Sequence, residues 1–169
     1  MNKFSKIAAL MFGLAIAANA QLKGVGYDGD IGMIAGSSPS APNEITARLG
    51  LGANFLDVGF GMKFDNTDGI SSDAKFQMSA SAFFLGHLHD FGPVDTYFTA
   101  GGVFAKLPVS KDNVTVAAFL GFQPEVTLLD HIVLSTRLGI DVPLSPNLII
   151  QTVGQSISIV NGANFKILF

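Results

Sequence analysis

Apolar and polar residues alternate one by one along most of the chain beyond residue 20, which is the period of a β-strand. In the run EITARLGLGAN at 44–54, every second residue from Ile45 to Ala53 is apolar. The residues between them are Thr, Arg and Gly. The runs 74–83 and 132–142 alternate in the same way. The pattern therefore predicts a chain built from strands, each with one apolar and one polar face.

Turn-forming residues separate these alternating runs and allow the strands to be counted. The polar stretches at 36–43, 65–73, 86–93 and 106–113 are read as connections. The predicted strands are 22–36, 44–54, 56–64, 74–85, 94–105, 113–127, 132–142 and 156–169. Segment 144–155 is apolar for a loop and could extend its neighbouring strands or form a small hairpin; it is kept as the fourth long loop. The count predicts an eight-stranded antiparallel up-and-down β-barrel.

Composition bears on which face of the barrel meets water. Charged residues make up only 14% of the chain, against about 25% in typical soluble domains. The mean hydropathy is +0.45 and the chain contains 19 glycines. A polar face rich in Gly, Ser and Thr suits a narrow lumen, and an apolar face suits lipid. The predicted fold class is therefore an all-β, membrane-spanning barrel, with a water-soluble, secreted all-β domain as the alternative.

The first 20 residues have the form of a secretory signal peptide. Lys3 and Lys6 precede the apolar stretch 7–18, and Ala-Asn-Ala at 18–20 has the small-x-small form of a cleavage site. We expect a cleaved signal at 1–20 and a barrel domain at 21–169; the alternative is a single membrane anchor. Without the two leader lysines, 8 Lys and Arg face 13 acidic residues, a formal charge of 8 − 13 = −5. This charge argues against nucleic acid as a partner.

The C-terminal residues and the loop lengths carry a resemblance to a known family. The chain ends on an aromatic residue that is preceded by apolar residues at alternating positions: Ala163, Phe165, Ile167 and Phe169. This pattern resembles the C-terminal signal of outer-membrane proteins, which the barrel-assembly machinery recognises. The predicted turns after strands 2 and 6 are very short, as periplasmic turns are in such proteins. The chain from residue 22 onward resembles the small, OmpA/OmpX-like transmembrane barrels. The resemblance implies export to the outer membrane of a Gram-negative-type bacterium, with membrane lipid and the assembly machinery as partners.

Charged residues on the polar parity are the candidate functional residues. The predicted register turns nine of them inward: Asp28, Asp30, Glu44, Arg48, Lys63, Lys75, Arg137, Asp141 and Lys166. Because an unpaired buried charge is costly, we expect an ion-pair network that plugs the barrel, with Asp30 beside Arg48. The alternative is a narrow or gated ion path.

No stretch of the sequence predicts a catalytic site, a metal site or a cofactor. His87, His89 and His131 lie in predicted turns on the periplasmic side, away from the outer rim where a lipid-modifying enzyme would need a base. We therefore expect a protein that is not an enzyme, with a structural or adhesion-like surface role and an extracellular ligand at its loops as a further partner. The alternative is a small pore for ions or small solutes, and a lipid-modifying enzyme is less favoured.

Overall fold

The computed structural model describes residues 20–29, 42–64, 76–106, 114–145, 151–153 and 164–169. These residues form ten β-strands: β1 (Gln21–Asp28), β2 (Glu44–Leu51), β3 (Asn54–Phe64), β4 (Phe76–Phe91), β5 (Val94–Lys106), β6 (Val114–Leu128), β7 (Ile132–Ser135), β8 (Leu138–Ser145), β9 (Gln151–Val153) and β10 (Asn164–Leu168). No helix among the described residues is long and apolar enough to cross a membrane.

The strands close into a barrel by antiparallel pairing of neighbours. Each strand from β1 to β6 pairs with the next one, and β6 pairs with both β7 and β8. Strand β9 pairs with β8, while β10 pairs with β7 on one side and with β1 on the other. The ten strands make eight barrel strands, because β7 and β8 occupy one position in the ring and β9 and β10 occupy another. The predicted fold class is confirmed as an all-β, eight-stranded, closed antiparallel up-and-down barrel.

The break between β7 and β8 is caused by a proline in the neighbouring strand β6. Glu125 pairs with Ser135, and Phe122 pairs with Leu138 in the same register, so no residue is inserted. Pro124 lies between them and has no N–H to donate to the ladder. The Thr136 N–H still donates to the Pro124 carbonyl, at 3.4 Å. One missing hydrogen bond therefore interrupts a strand that otherwise continues, as the predicted span 132–142 implies.

The stagger of the strands can be followed once around the barrel. Stepping across paired residues gives the series Ile132, Ile167, Val25, Ala47, Val58, Ala82, Gly102, Ala118 and Val142. The series returns to the starting barrel strand 142 − 132 = 10 residues further along. With the usual strand spacings, this stagger over eight strands implies a tilt of about 40°. A barrel of this size is just wide enough for side chains to fill its interior.

Three tight turns lie at one end of the barrel, which we call the turn end, together with both described chain termini. The turns are at Gly52–Ala53, Gly92–Pro93 and Leu129–His131. The predicted connection at 86–93 is wrong, because β4 continues to Phe91 and leaves a two-residue turn. The polar residues His87, His89 and Asp90 looked like a loop in the sequence. They belong to a hairpin that extends past the β2–β3 turn, where strand residues meet solvent on both faces.

The predicted fourth loop at 144–155 is also wrong in part. Strand β8 continues to Ser145, and β9 pairs with Gly139–Asp141 of β8. The described parts of this segment, up to Ser145 and from Gln151 to Val153, therefore contribute to the sheet. Residues 146–150 and 154–163, residues 30–36 of the first predicted strand, and 1–19 of the predicted signal lie outside the described residues.

Burial is inverted relative to a water-soluble barrel. Outward residues are apolar and exposed, for example Ile45 at 76% and Phe64 at 68%. Inward residues are buried, and many of them are polar or charged. An apolar cluster fills the lumen beside β4, β5 and β6, and it comprises Phe83, Leu85, Tyr97, Val103, Ala105, Ala117 and Phe119. The buried charges lie mostly on the remaining strands, so the lumen has an apolar side and a polar side.

Candidate functional site: ion pairs in the barrel lumen

Arg48 forms the centre of the first ion-pair group. Its side chain points inward from β2 and is only 1% exposed. On the neighbouring strand β3, Asp57 accepts hydrogen bonds from Arg48 Nε and Nη2, both at 2.8 Å. On β6, Glu125 accepts from Nη1 at 2.7 Å and from Nη2 at 2.6 Å. Because β2 and β6 are four strands apart in a ring of eight, the Arg48 side chain spans the lumen from wall to wall.

Two further residues complete this group, which we call the Arg48 cluster: Arg48, Asp57, Glu125, Lys166 and Gln123. Lys166 points inward from β10, and its Nζ lies 3.1 Å from Asp57 Oδ2. The two groups form an ion pair but do not have the geometry of a hydrogen bond. Gln123 Nε2 donates to Glu125 Oε1 at 2.6 Å. Three walls of the barrel thus contribute charge to one layer. Paired in this way, buried charges can be tolerated where single ones would be strongly destabilising.

Arg137 forms a second group nearer the other end of the barrel. Its Nη1 donates to Asp28 Oδ2 at 2.5 Å, and both side chains are fully buried. The guanidinium carbon lies 3.9 Å from the centroid of the Phe83 ring, which in turn meets Phe119 edge to face. Phe83 therefore connects the charged side of the lumen to its apolar side.

Glu44 extends the second group along β2. It lies directly opposite Asp28 in the β1–β2 pairing, and it accepts a hydrogen bond from Ser81 of β4. Between these strands, Gly59 of β3 leaves the room that the contact needs. A Cβ at Gly59 would overlap both the Glu44 carboxylate and the Ser81 hydroxyl. The inward glycines are therefore part of how a narrow lumen holds long charged side chains.

The structure places most of the predicted interior residues in the lumen. Asp28, Glu44, Arg48, Arg137, Asp141 and Lys166 are each at most 1% exposed. Lys63 is the second-last residue of β3, at the end of the barrel opposite the turns, and it is exposed. Asp30 and Lys75 lie outside the described residues, and so does the expected Asp30–Arg48 pair. Lys166 and Arg48 share Asp57, whereas Arg137 pairs with Asp28.

Sequence reasoning missed two members of the Arg48 cluster, Asp57 and Glu125. Both lie on the inward parity, Asp57 with Gly59 and Glu125 with Gln123. Parity alone would therefore have placed them in the lumen. Asp57 lies directly opposite Arg48 in the β2–β3 hairpin, so the position of the two-residue turn sets that pairing. The pairing of Glu125 with Arg48 requires the stagger of the strands, because Glu125 is 77 residues away in sequence and on the opposite wall.

The hairpin at the turn end carries the third polar group. His87 Nε2 lies 2.6 Å from Asp90 Oδ1, and the Asp90 side chain is 60% exposed to solvent. The hydrogen bond with His87 holds the pKa of Asp90 below its ordinary value of 3.8. Among the residues that the structure describes, no group of three or more His, Cys, Asp or Glu side chains is arranged to hold a metal ion.

Of the predicted C-terminal signal, Phe165, Ile167 and Phe169 are 38%, 47% and 68% exposed on the outer face. Ala163 lies outside the described residues. The inward residues Asn164 and Lys166, which alternate with Phe165 and Ile167, are fully buried. Strand β10 thus shows the same inversion as the rest of the barrel.

Fold and burial together define a class of protein: a closed eight-stranded barrel with a charged, filled lumen and an apolar outer wall. Comparison of the chain with protein-family models, with curated proteins and with solved structures finds no match. The class therefore rests on strand pairing and on the burial pattern.

Proposed function

We propose that this chain is an integral outer-membrane β-barrel with a closed lumen, which serves a structural or surface-interaction role and is not an enzyme. The observation that carries the proposal is the inverted burial. Arg48, Arg137 and Lys166 are at most 1% exposed, while Ile45 and Phe64 are more than two-thirds exposed. Water-soluble proteins almost never bury cationic side chains so completely while showing a continuous apolar wall to solvent. A lipid environment removes this conflict.

The dimensions of the barrel suit a bilayer. Strand β3 has 11 residues, and at a tilt of about 40° it rises roughly 28 Å along the barrel axis. Outer-membrane barrels carry an apolar band of about 25 Å. Exposed Phe64 lies towards one end of the wall and exposed Phe169 towards the other. Since the chain has no Trp and only two Tyr, phenylalanines would supply the interfacial aromatic girdles.

The orientation follows from the connections, if the barrel is of the OmpA/OmpX-like kind. Such barrels have short turns on the periplasmic side. We therefore assign the turn end to the periplasm, and the predicted signal at 1–20 would direct export. The outward residues Phe165, Ile167 and Phe169 support recognition of β10 by the barrel-assembly machinery.

A structural role is supported by the contacts of Arg48. Its bonds to Asp57 and Glu125 cross the lumen and occupy the space through which a solute would pass. A barrel filled in this way acts through its lipid-facing wall and its two ends. A ligand outside the cell would therefore meet the end of the barrel opposite the turns.

A small pore is the second candidate, and buried polar atoms favour it. Lys166 Nζ, Gln123 Oε1 and Thr99 Oγ1 have no hydrogen-bond partner among the described protein atoms, and such groups are sites for water. The buried charged residues that the structure describes are five acids, Asp28, Glu44, Asp57, Glu125 and Asp141, and three bases, Arg48, Arg137 and Lys166. If the lumen conducts, this excess of acid favours cations over anions.

Insertion into a bilayer is the experiment that tests the proposal. Residues 21–169 would be unfolded in urea and diluted into neutral phosphatidylcholine vesicles. We expect a β-type circular dichroism spectrum, flotation with the vesicles and protection of the strands from trypsin. A folded, monomeric protein in buffer without lipid or detergent would contradict the proposal. The same sample without vesicles serves as the control and should aggregate.

A further inference from the structure

Lys106 is unusual among the cationic residues of the described strands. It lies at the last position of β5 on the outward parity, opposite Met78 of β4 and Val114 of β6. The other described cations belong to the lumen or its mouths: Arg48, Lys63, Arg137, Lys166 and Lys23. The Lys23 side chain packs over Gly50. Within the described strands, the apolar outer wall therefore carries one cationic side chain, at the end opposite the turns.

The surroundings of Lys106 form a continuous apolar surface, which we call the β3–β5 patch. It consists of the outward residues Phe60, Met62, Phe64, Phe76, Met78 and Phe104. Cross-strand pairs hold it together, since Phe64 lies opposite Phe76 and Met62 opposite Met78. Phe64 is 68% exposed and Met62 is 63% exposed.

The Lys106 ammonium group lies over this patch. Its Nζ is 5.8 Å from the centroid of the Phe76 ring. A lysine at the edge of an apolar wall extends its methylenes along the wall and keeps its charge at the polar boundary. The patch below it presents aromatic rings and flexible methionines, which adapt to an apolar chain.

We propose that Lys106 and the β3–β5 patch bind a phosphate-bearing anionic lipid of the surrounding leaflet. The phosphate would contact the Lys106 ammonium group, and an acyl chain would lie along Met62, Phe76 and Met78. The charge decides the class of lipid, because the cation that the described strands place on this apolar wall complements an anionic headgroup with apolar chains. This inference rests on the proposed membrane insertion.

Lipid retention measured by native mass spectrometry tests the site. The protein would be placed in nanodiscs of phosphatidylcholine containing a minority of phosphatidic acid, and the lipids retained after release would be counted. The attraction of one Lys to an anionic membrane surface corresponds to about a fivefold change in an equilibrium constant. We expect retained phosphatidic acid to be enriched by about that factor over its share of the nanodisc. The Lys106→Gln variant should lose the enrichment, and Lys106→Arg should keep it.

Lys63→Gln is the matched control, since Lys63 is an exposed lysine at the same end of the barrel but on the lumen parity. Its enrichment should equal that of the unmutated protein. Absence of enrichment in the unmutated protein would overturn the proposal, as would equal losses in Lys63→Gln and Lys106→Gln. Insertion is checked first in pure phosphatidylcholine. Failure to insert there would refute the membrane assignment itself, whereas insertion without enrichment refutes only the lipid site.

Discussion

Arg48 and Glu125 face each other from opposite walls of the barrel and are joined by two hydrogen bonds, of 2.7 and 2.6 Å. The same guanidinium binds Asp57 through two more. Every nitrogen of the Arg48 guanidinium therefore donates to a carboxylate. The contact joins β2 to β6 across the interior and ties together two halves of the chain that are not neighbours in the sheet. We propose that this contact contributes to closing the lumen, together with the Arg137 group and the apolar cluster beside β4, β5 and β6.

Removing Arg48 should destabilise the barrel strongly. Arg48→Ala leaves Asp57 and Glu125 buried with one cation, Lys166, in place of two. Loss of one partner from a buried ion pair typically lowers the free energy of unfolding by about 3–5 kcal/mol. Urea unfolding in phosphatidylcholine vesicles, followed by circular dichroism, measures the change. Lys63→Ala is the control because Lys63 is exposed, and a loss of equal size there would show that the effect is not due to the lumen contacts.

Asp57 and Lys166 should be energetically coupled. Asp57→Asn and Lys166→Met each leave the other charge without this partner, while the double variant removes both charges. Contacting residues of this kind show interaction free energies of about 0.5–3 kcal/mol in a double-mutant cycle. Urea unfolding of the four proteins gives the coupling. Strictly additive losses would mean that the 3.1 Å approach of Lys166 to Asp57 contributes nothing to stability.

Gly59 should not tolerate a side chain. Gly59→Val would drive its methyl groups into Glu44 and Ser81, which lie against this position in the lumen. Overpacking of this kind destabilises by about 1–3 kcal/mol. Ala47→Val, on the outward face of the adjacent strand, adds similar volume toward lipid and serves as the control. We expect a lower urea midpoint for Gly59→Val and little change for Ala47→Val. The reverse order would show that the inward and outward faces are assigned wrongly.

Asp90 should titrate below its ordinary range. The hydrogen bond with His87 lowers the pKa of this carboxyl, and the hairpin that carries it extends beyond β3 into solvent. A carboxyl with a depressed pKa stabilises the folded state above its unfolded pKa, and this contribution is lost as pH falls through the folded value. Carbon-13 NMR titration of the Asp side chains measures it. In His87→Gln, the pKa of Asp90 should rise toward 3.8, and an unchanged value would remove His87 as the cause.

The fold class could be predicted because alternation fixes which face each residue occupies. Ile45 and Arg48 differ in parity and lie on opposite faces of β2, as the pattern indicates. The register between strands could not be read in this way, since it depends on turn length and on the stagger around the ring. For this reason Glu125 was missed as a partner of Arg48, and Asp57 was missed because the turn before β3 lies two residues earlier than the sequence indicates. Polarity also misled at His87 and His89, because a hairpin beyond the apolar wall can carry polar residues on both faces.

Single-channel recording in a planar bilayer tests the closed lumen most directly. The sample would be the inserted, trypsin-protected protein, with Arg48→Ala recorded beside it. Because the Arg48 cluster lies across the lumen, we expect no current steps from the unmutated protein. Steady steps from the unmutated protein, with an amplitude that changes in Arg48→Ala, would contradict a closed lumen and identify the protein as a pore.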